Sequence, residues 1–267
     1  MKERKPRGQF REVRRFEAPA EENEHQLEGR NALTEALRSG RTVDKVFIAA
    51  GETDKGLQRL AAQAKEAGAV VVPVDRRKLD AMSTTRAHQG VIALAAAREY
   101  FSIDDLLEEA AQRGETPLLV ICDELSDPHN LGAIIRSAEC AGAHGVIIPK
   151  RRSVGLTAVV AKASAGAVEY MKVARVTNIN AAIEELKEKG VWIFGTAAEG
   201  SVPMYQADLT IPAAIVIGSE GDGMSRLVRE NCDVTVHIPM KGKITSLNAS
   251  AAATVLLYEA VRQRLNK

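Results

Sequence analysis

The chain has 267 residues, of which 45% are apolar and 27% are charged, and its formal net charge is +1. This is the composition of an ordinary globular protein, and no run approaches the roughly 18 apolar residues that a bilayer-spanning helix needs. The charged N-terminus lacks the apolar core of a signal peptide and no Cys/His cluster has zinc spacing, so we expect a cytoplasmic protein with neither a membrane nor a metal partner.

The first 25 residues are predicted to form a disordered arm with two blocks of charge. Residues 1–15 carry seven basic side chains against Glu3 and Glu12, and acidic side chains from Glu17 to Glu24 follow. Clustered basic side chains can bind a phosphate backbone, but the same composition is typical of a solvated tail. The pattern leaves both interpretations open.

Residues 26–96 are predicted to form a small α/β domain. The pattern alternates helix and strand three times, with segments that end at Gly40 and Gly68. The predicted elements are helix 27–37, strand 43–50, helix 55–67, strand 69–74, helix 76–82 and strand 90–95. Residues 97–116 are rich in acidic side chains and are predicted to be a linker or a charged helix at the domain boundary.

Residues 117–267 are predicted to form a second α/β domain with stronger strands. Strands are predicted at 118–122, 145–149, 191–196, 213–217 and 234–238, an extended segment at 168–176, and helices at 131–141 and 179–189. Because the strands are apolar throughout and alternate with helices, they predict a parallel sheet that is covered on both faces. Periodicity alone indicates an open doubly wound sheet.

Ligands of open parallel sheets bind at the carboxyl ends of the strands, and the first unusual loop there follows strand 118–122. Residues 127–136 read Asp-Pro-His-Asn-Leu-Gly-Ala-Ile-Ile-Arg and place Asn130 and Arg136 in an otherwise apolar helix. The structural alternative is that Asn130 caps the helix and Arg136 extends from its surface into solvent.

The second unusual loop follows strand 213–217 and reads Gly-Ser-Glu-Gly-Asp-Gly-Met-Ser over residues 218–225. Its three glycines let the backbone approach a ligand closely, and Glu220 is expected to project from a strained turn. The glycine order is not the dinucleotide fingerprint and no Gly-Lys-Ser/Thr follows, so NAD-type and P-loop sites are excluded. The alternative is a tight strand-to-helix connection with an exposed acid. Residues 195–200 form a similar glycine-bounded turn.

The third loop, residues 238–246, leads into a long helix of mostly small apolar residues. Ser246 and Asn248 stand just ahead of that apolar run, where side-chain oxygens and free backbone N–H groups gather. A buried helix with a polar first turn makes a suitable floor for a ligand pocket. The alternative is that Ser246 is an ordinary N-cap.

The three loops together resemble the motifs of the SpoU (TrmH-like) RNA ribose 2′-O-methyltransferases, which belong to the SPOUT class. The first motif is similar to residues 127–138, the second to residues 215–224 with 238–240, and the third to residues 246–250, in the family's order. Residues 26–96 resemble the L30e-like substrate-binding domain of the branch that methylates a guanosine of 23S ribosomal RNA. The resemblance implies a deep trefoil knot in the C-terminal parallel-sheet domain in place of an open sheet.

The resemblance also implies S-adenosylmethionine as the cofactor, 23S ribosomal RNA as the partner, a homodimer, and a set of site residues. The cofactor-binding positions are Thr196, Gly218, Ile238 and Leu247, with glycine expected at 218 so that the cofactor can lie on the backbone. The polar active-site positions are Asn130, Arg136, Glu220, Ser246 and Asn248. Charge clusters add candidate RNA-binding residues, which are Arg30, Lys150, Arg151 and Arg152, together with residues 76–78 and the N-terminal arm.

The implied reaction is in-line transfer of a methyl group from a sulfonium to a ribose 2′-oxygen, which needs close positioning and removal of the hydroxyl proton. The family assigns Arg136 as the general base. A guanidinium with a pKa above about 12 is better suited to anchoring the target phosphate through a bidentate fork. Two alternatives stay open, which are a 2′-O-methyltransferase acting on transfer RNA and an RNA-binding relative without catalytic activity.

Overall fold

The structure is a computed structural model that describes residues 25–51, 53–96, 98–198 and 202–266. The predicted disordered arm lies outside these residues except for His25. The strands are β1 (Gln26–Glu28), β2 (Val43–Ala49), β3 (Val70–Val74), β4 (Val91–Ala95), β5 (Leu118–Cys122), β6 (Gly145–Pro149), β7 (Val173–Val176), β8 (Trp192–Thr196), β9 (Val202–Pro203), β10 (Ala213–Ile217) and β11 (Val234–His237). The helices are α1 (Arg30–Arg38), α2 (Lys55–Glu66), α3 (Arg76–Met82), α4 (Ile103–Arg113), α5 (Pro128–Cys140), α6 (Ala158–Ala163), α7 (Ile179–Glu188), α8 (Arg226–Asn231) and α9 (Ala249–Leu265).

The N-terminal sheet contains one strand that the sequence pattern does not predict. Its order is β1-β4-β2-β3, with β2 and β3 parallel and the other pairs antiparallel. Residues 27–28, predicted as the start of a helix, belong to β1 beside β4, and α1 begins only after Gly29, which has a φ of 96°. The prediction was wrong here because Leu27 and Leu33 are both buried, so one apolar stripe runs through a strand and into a helix.

In the described residues the C-terminal sheet has seven parallel strands in the order β7-β6-β5-β10-β8-β11-β9. β10 lies between β5 and β8, and β11 lies between β8 and β9, so both late strands are inserted between earlier ones. A doubly wound sheet adds its strands outward from the first one, so this strand order differs from the doubly wound order that periodicity indicates.

Helices cover both faces of the C-terminal sheet, as the apolar strands predict. Successive residues of β5 point to opposite faces, with Val120 in the cluster of α5, α6 and α9 and Ile121 in the cluster of α4, α7 and α8. The segment predicted as a linker or charged helix contains α4, which buries Ile103 and Leu106 in the second cluster. α4 therefore belongs to the C-terminal domain. The predicted extended segment, residues 168–176, begins inside a short 3₁₀ turn at 167–169, and only its residues 173–176 form a strand.

The two domains are joined by a nearly buried ionic contact. Oε1 of Glu169, in the C-terminal domain, accepts hydrogen bonds from Arg41 Nη1 (3.1 Å) and from Arg98 Nη2 (2.5 Å). Next to it, Tyr170 OH donates to Glu35 Oε2 of α1 (2.6 Å). These contacts fix the N-terminal domain against the segment that follows α6. Among the described helices, none is long and apolar enough to cross a membrane.

We expect the free energy of unfolding to fall as the pH drops from about 7 towards about 5.5, because of His144. Its ring is buried, with Nδ1 accepting a hydrogen bond from Leu118 N (3.0 Å) and Nε2 lying 2.9 Å from Glu115 Oε2. Burial lowers the pKa of His144 below its usual 6.5, although Glu115 opposes the shift. The contribution of this residue is present in full above the unfolded pKa and is lost as the pH falls through the lowered folded pKa.

The measurement is urea unfolding of the wild type and of His144→Gln at both pH values. Glutamine stays neutral and can accept a hydrogen bond from Leu118 N, so the variant should lose less stability between the two pH values. An equal loss in both proteins would show that other groups cause the dependence. The pKa of Glu28 is lowered from 4.5, so its contribution to the free energy of unfolding changes only at a lower pH than this window.

Candidate active site

Three loops at the carboxyl edge of the C-terminal sheet meet in one hydrogen-bonded cluster, although they are far apart in the sequence. Asn130 Nδ2, from α5, donates to Glu220 Oε1 (2.5 Å) in the glycine loop. Asn248 Nδ2, from the start of α9, donates to the same Oε1 (2.6 Å) and to Asn130 Oδ1 (3.0 Å). Both amides hold one carboxylate oxygen. Glu220 Oε2 accepts no hydrogen bond from the described residues, so one oxygen of a fixed carboxylate stays free.

Neither Asn130 nor Ser246 is a helix N-cap, as the structural alternatives had it. Asp127 is the N-cap of α5 and accepts from His129 N (2.8 Å), so Asn130 lies inside the helix, where it is 4% exposed. Asn248 is the N-cap of α9 and accepts from the backbone N–H groups of residues 250 (3.0 Å) and 251 (3.3 Å). Ser246 lies two residues before that cap and faces the cavity described next. The N-cap interpretations of Asn130 and Ser246 were therefore wrong.

A cavity of about 340 Å³ opens beside this cluster, between the ends of β8, β10 and β11 and the first turns of α9. The lining includes all four predicted cofactor positions, which are Thr196, Gly218, Ile238 and Leu247. α9 contributes apolar floor residues such as Leu256. Thr196 Oγ1 donates to Val216 O (2.8 Å), so its hydroxyl already braces β8 against β10. The predicted turn at 195–200 contributes its first residues, and residues 199–200 lie outside the described part.

The glycine loop closes on itself, and this explains Gly218. Ser219 N donates to Gly223 O (2.9 Å), and Gly223 N donates back to Ser219 O (3.1 Å). A Cβ on Gly218 would lie 2.2 Å from the backbone of Gly223 and Met224. The loop's own backbone therefore requires glycine at position 218, and the predicted contact with the cofactor at this residue stays a prediction. The expected strain at Glu220 is also absent, since Gly223 is the residue of this loop with a left-handed φ (69°) among those described.

Gly218→Ala is expected to weaken S-adenosylhomocysteine binding by about tenfold, because forcing the loop open costs typically about 1–3 kcal/mol. Isothermal titration calorimetry measures the dissociation constant. Gly221→Ala is the matched control, because a Cβ at Gly221 meets nothing within 4 Å and its φ is not left-handed. A Gly218→Ala variant that binds as tightly as the wild type would mean that the close packing at Gly218 does not shape the cavity.

A second cavity, of about 370 Å³, adjoins the first across the glycine loop. Its lining residues are Glu124, Leu125, Ser126, Asp127, Asn130, Ser219, Glu220, Gly221 and Asp222. Residues 219–222 line both cavities. Glu220 lines both cavities and Asn130 lines the second, so their hydrogen-bonded cluster lies at the junction of the two.

Arg136 does not join this cluster within one chain. It follows Asn130 by six residues, which turns it about 120° around the axis of α5. Its side chain is exposed and makes no hydrogen bond or ion pair with the described residues. The structure thus brings Asn130, Glu220 and Asn248 together, lines the cavity with Ser246, and leaves Arg136 on an outer face.

The candidate RNA-binding residues differ in whether their side chains already have partners within the chain. Lys150, Arg151 and Arg152 are exposed on the loop after β6, which packs beside the second cavity through a hydrogen bond from Ser153 Oγ to Leu125 O (3.0 Å). Arg152 also pairs with Glu124 (3.1 Å) on the surface. Arg30 donates to Asp54 (2.8 Å) and to the carbonyl of residue 89 (3.2 Å), so it is already engaged. Residues 76–78 are exposed on α3.

The sequence matches two families. Residues 117–258, more than half of the chain, match the SpoU rRNA Methylase family, and residues 26–101 match the RNA 2′-O ribose methyltransferase substrate binding family. The chain belongs to the SpoU rRNA methylase family. The family prediction from the three loops is thereby confirmed, and so is the N-terminal substrate-binding domain.

Individual relatives agree with this assignment to the SpoU family. The Bacillus subtilis (strain 168) protein YacO, which carries a TrmH family tRNA/rRNA methyltransferase name, is 50% identical over 236 residues, or 88% of this chain and 94% of that protein. The SpoU methyltransferase AviRb from Streptomyces viridochromogenes, solved in complex with AdoMet, superposes with a TM-score of 0.79 at 27% identity and 90% coverage of both chains. An AdoMet-bound rRNA methyltransferase from Sinorhizobium meliloti gives a TM-score of 0.74 at 25% identity, over 89% of this chain and 87% of that one. The predicted SpoU fold is confirmed.

The sequence analysis of this SpoU chain assigned no role to Asp123. Its position directly after β5, at the carboxyl edge of the sheet, is the signal that could have indicated one. The side chain is 3% exposed, and Oδ2 accepts a hydrogen bond from Ser225 N (2.7 Å) at the end of the glycine loop. Asp123 therefore ties that loop to β5.

Burial raises the pKa of the neighbouring Cys122 thiol to about 12, and it does the same for Cys232, so both thiols stay protonated. Among the described residues no group of three acids, histidines or cysteines could hold a metal ion.

Proposed function

We propose that this SpoU-family protein transfers a methyl group from S-adenosylmethionine to a ribose 2′-oxygen of RNA. The observation that carries the proposal is the carboxylate of Glu220, which is held by two amides at the junction of two cavities, with one oxygen free. The AdoMet-bound relatives and the substrate-binding domain family support the choice of cofactor and of RNA.

The residues that line the first cavity suit S-adenosylmethionine. A volume of about 340 Å³ lies in the range of roughly 300–1,000 Å³ that is usual for small-molecule sites. Ile238 and Leu247 offer apolar walls for an adenine, and the turn at Gly218 offers backbone N–H and C=O groups for its polar edge. When bound, the cofactor supplies an electrophilic methyl group on sulfur.

The side chains of the cluster supply positioning and proton removal. Hydrogen bonds from Asn130 and Asn248 fix Oε1 of Glu220 and leave Oε2 without a partner among the described residues, and in the proposed reaction Oε2 accepts the proton of the ribose hydroxyl. Fixed donors hold the carboxylate without reorganisation during the reaction. The geometry favours Glu220 over Arg136 as the proton acceptor, because a guanidinium is a poor base and Arg136 lies outside the cluster.

For the RNA we propose a guanosine of 23S ribosomal RNA, as the resemblance to that branch implies. The name of the matched family, SpoU rRNA Methylase, supports ribosomal RNA, and the basic loop at 150–152 borders the second cavity, where the target ribose would enter. Transfer RNA is the second candidate, because YacO carries a tRNA/rRNA methyltransferase name. A ribosomal RNA substrate goes with the cytoplasmic location expected from the sequence, which stays a prediction.

We further propose a homodimer in which the outer faces of α5 and α9 are covered by a second copy. Large apolar side chains are exposed along α9 and the loop before it, with exposures of 73% for Ile244, 48% for Tyr258 and 81% for Leu265. Exposed apolar side chains on one helix and the loop before it favour an interaction surface there. Arg136 lies on the outer face of the neighbouring α5, so a two-fold partner can bring this residue to a site that one chain leaves incomplete.

The test is methyl transfer from labelled S-adenosylmethionine to ribosomal RNA transcribed without modifications, followed by mapping of the label. Label on the 2′-oxygen of one 23S guanosine is the expected result. Label on transfer RNA would keep the reaction and overturn the substrate. Binding of RNA without any methyl transfer or cofactor binding would overturn the enzyme in favour of a non-catalytic RNA-binding protein.

A further inference from the structure

A loop of the N-terminal domain, residues 83–89, is anchored by one buried carboxylate. Glu28 is 1% exposed and lies beneath this segment, which we call the Glu28 loop. Its carboxylate accepts hydrogen bonds from Ser83 Oγ (2.6 Å), from Thr84 N (2.6 Å) and from both N (3.0 Å) and Oγ1 of Thr85. Burial alone would raise the pKa of Glu28, but these hydrogen bonds outweigh burial and lower it, so the anchor stays charged.

Two residues of the Glu28 loop hold a backbone conformation that L-residues rarely adopt. Arg86 has a φ of 52° and Gln89 has a φ of 54°. Conformations of this kind persist where the surrounding structure enforces them, and they cluster at ligand-contact sites. The Arg86 side chain is exposed and has no hydrogen-bond or ion-pair partner in the part of the chain that the structure describes. The loop thus presents a free guanidinium from an enforced position.

The Glu28 loop also contacts the methyltransferase domain on both sides of Arg86. Lys162 Nζ, from α6, donates to Thr85 Oγ1 (3.0 Å) and to Ala87 O (2.7 Å). Burial lowers the pKa of Lys162, although the charge of Glu28 opposes the shift. Arg86 is therefore placed at the seam between the domains, beside a second cation.

The carboxylates near this seam do not neutralise Arg86. Asp54 pairs with Arg30 (2.8 Å), and Glu28 is saturated by its own loop. Arg30 Nε in turn donates to Gln89 O (3.2 Å), which adds a third cation to the same loop. Asp80 also lies beside the loop, where it accepts a hydrogen bond from His88 Nε2 (2.9 Å). Arg86 thus has no acidic partner among the described residues, and its exposed guanidinium fits an anion such as a phosphate.

We propose that the Glu28 loop binds a phosphodiester of the RNA substrate through Arg86 and so carries the RNA-binding surface across the seam between the two domains. The inference rests on the proposed RNA methyltransferase function but concerns a residue outside the methyl-transfer site. The planar guanidinium can hold a phosphate with two parallel hydrogen bonds. Because the loop is already ordered, little conformational freedom is lost when it binds.

The experiment measures binding of the full chain to in vitro transcribed 23S rRNA across a series of salt concentrations. Arg86→Ala should weaken binding by about fivefold at low salt and reduce the slope of log affinity against log salt by about one. Arg86→Lys should keep most of the slope, because the charge is retained. S-adenosylhomocysteine affinity should be the same in all variants.

Two further variants separate a contact from a folding defect. Arg59→Ala, an exposed arginine on α2 of the same domain, should leave RNA affinity unchanged. Arg86→Gly relieves the left-handed φ, so its melting temperature should equal or exceed that of Arg86→Ala while RNA binding stays weak. If Arg86→Ala binds RNA as tightly as Arg59→Ala in a protein that methylates RNA, the inference fails and the proposed function stands. If the wild type binds neither ribosomal nor transfer RNA, both fail.

Discussion

Glu220→Gln is expected to lower the rate of methyl transfer by about 10²–10⁴-fold, the usual range for loss of a general base. The amide keeps an oxygen that can accept hydrogen bonds from Asn130 and Asn248, so the cluster stays assembled. What changes is the free oxygen, which becomes an NH₂ group that cannot accept a proton. Single-turnover methylation of unmodified ribosomal RNA measures the rate.

Asp222→Asn is the matched control for this change. Asp222 is an exposed acid of the same loop and lines the same two cavities, yet it takes no part in the hydrogen-bonded cluster. Its neutralisation should leave the rate within about threefold of the wild type. S-adenosylhomocysteine affinity should be unchanged in both variants. A Glu220→Gln enzyme that keeps its rate would remove this carboxylate from proton transfer.

The residues of the candidate site could be predicted because they lie in three short segments of the sequence. Asn130 and Glu220 are 90 residues apart and Asn130 and Asn248 are 118 apart, yet each belongs to a recognisable loop at the end of an apolar strand. Parallel strands place their carboxyl ends on one edge of a sheet, so the meeting of the loops follows from the fold. The two amide contacts determine which carboxylate oxygen of Glu220 stays free, and the sequence alone does not predict these contacts.

Other features depend on contacts that leave no local pattern. Ser246 and Asn248 are both good capping residues, and only the chain direction before α9 decides that Asn248 accepts the helix N–H groups. Gly218 looks like a ligand-contact glycine, whereas the backbone of residues 223–224 is what excludes a side chain. The late insertion of β10 and β11 is invisible to periodicity, because strands look the same wherever they lie in a sheet.

The docking of the two domains was equally beyond the sequence pattern. It depends on Glu169 meeting Arg41 and Arg98, and on Lys162 meeting the Glu28 loop, which are contacts between segments with no common motif. The same contacts hold Arg86 and the basic loop at 150–152 in one arrangement, which the proposed RNA-binding surface requires. The charge clusters of the sequence include the basic loop and do not include Arg86.

Arg136→Ala is expected to lower methyl transfer by about 10²–10³-fold, the effect typical of removing one group that stabilises charge in the transition state. Its side chain lies outside the cofactor cavity, so S-adenosylhomocysteine affinity should stay within about twofold of the wild type. Arg136→Lys should recover little activity if the residue holds a phosphate by a planar fork. An Arg136→Ala enzyme with wild-type turnover would exclude the residue from the mechanism.

Mixed dimers decide where Arg136 acts. When Arg136→Ala and Glu220→Gln chains are unfolded and refolded together in equal amounts, about half of the dimers contain one chain of each kind. If Arg136 serves the site that contains Glu220 of the partner subunit, one site of each mixed dimer is intact, and about a quarter of wild-type activity should return. If Arg136 serves its own chain, every site carries a defect and the mixture stays as inactive as its components. Return of activity would also establish the dimer, because two defective chains can complement each other only at a shared site.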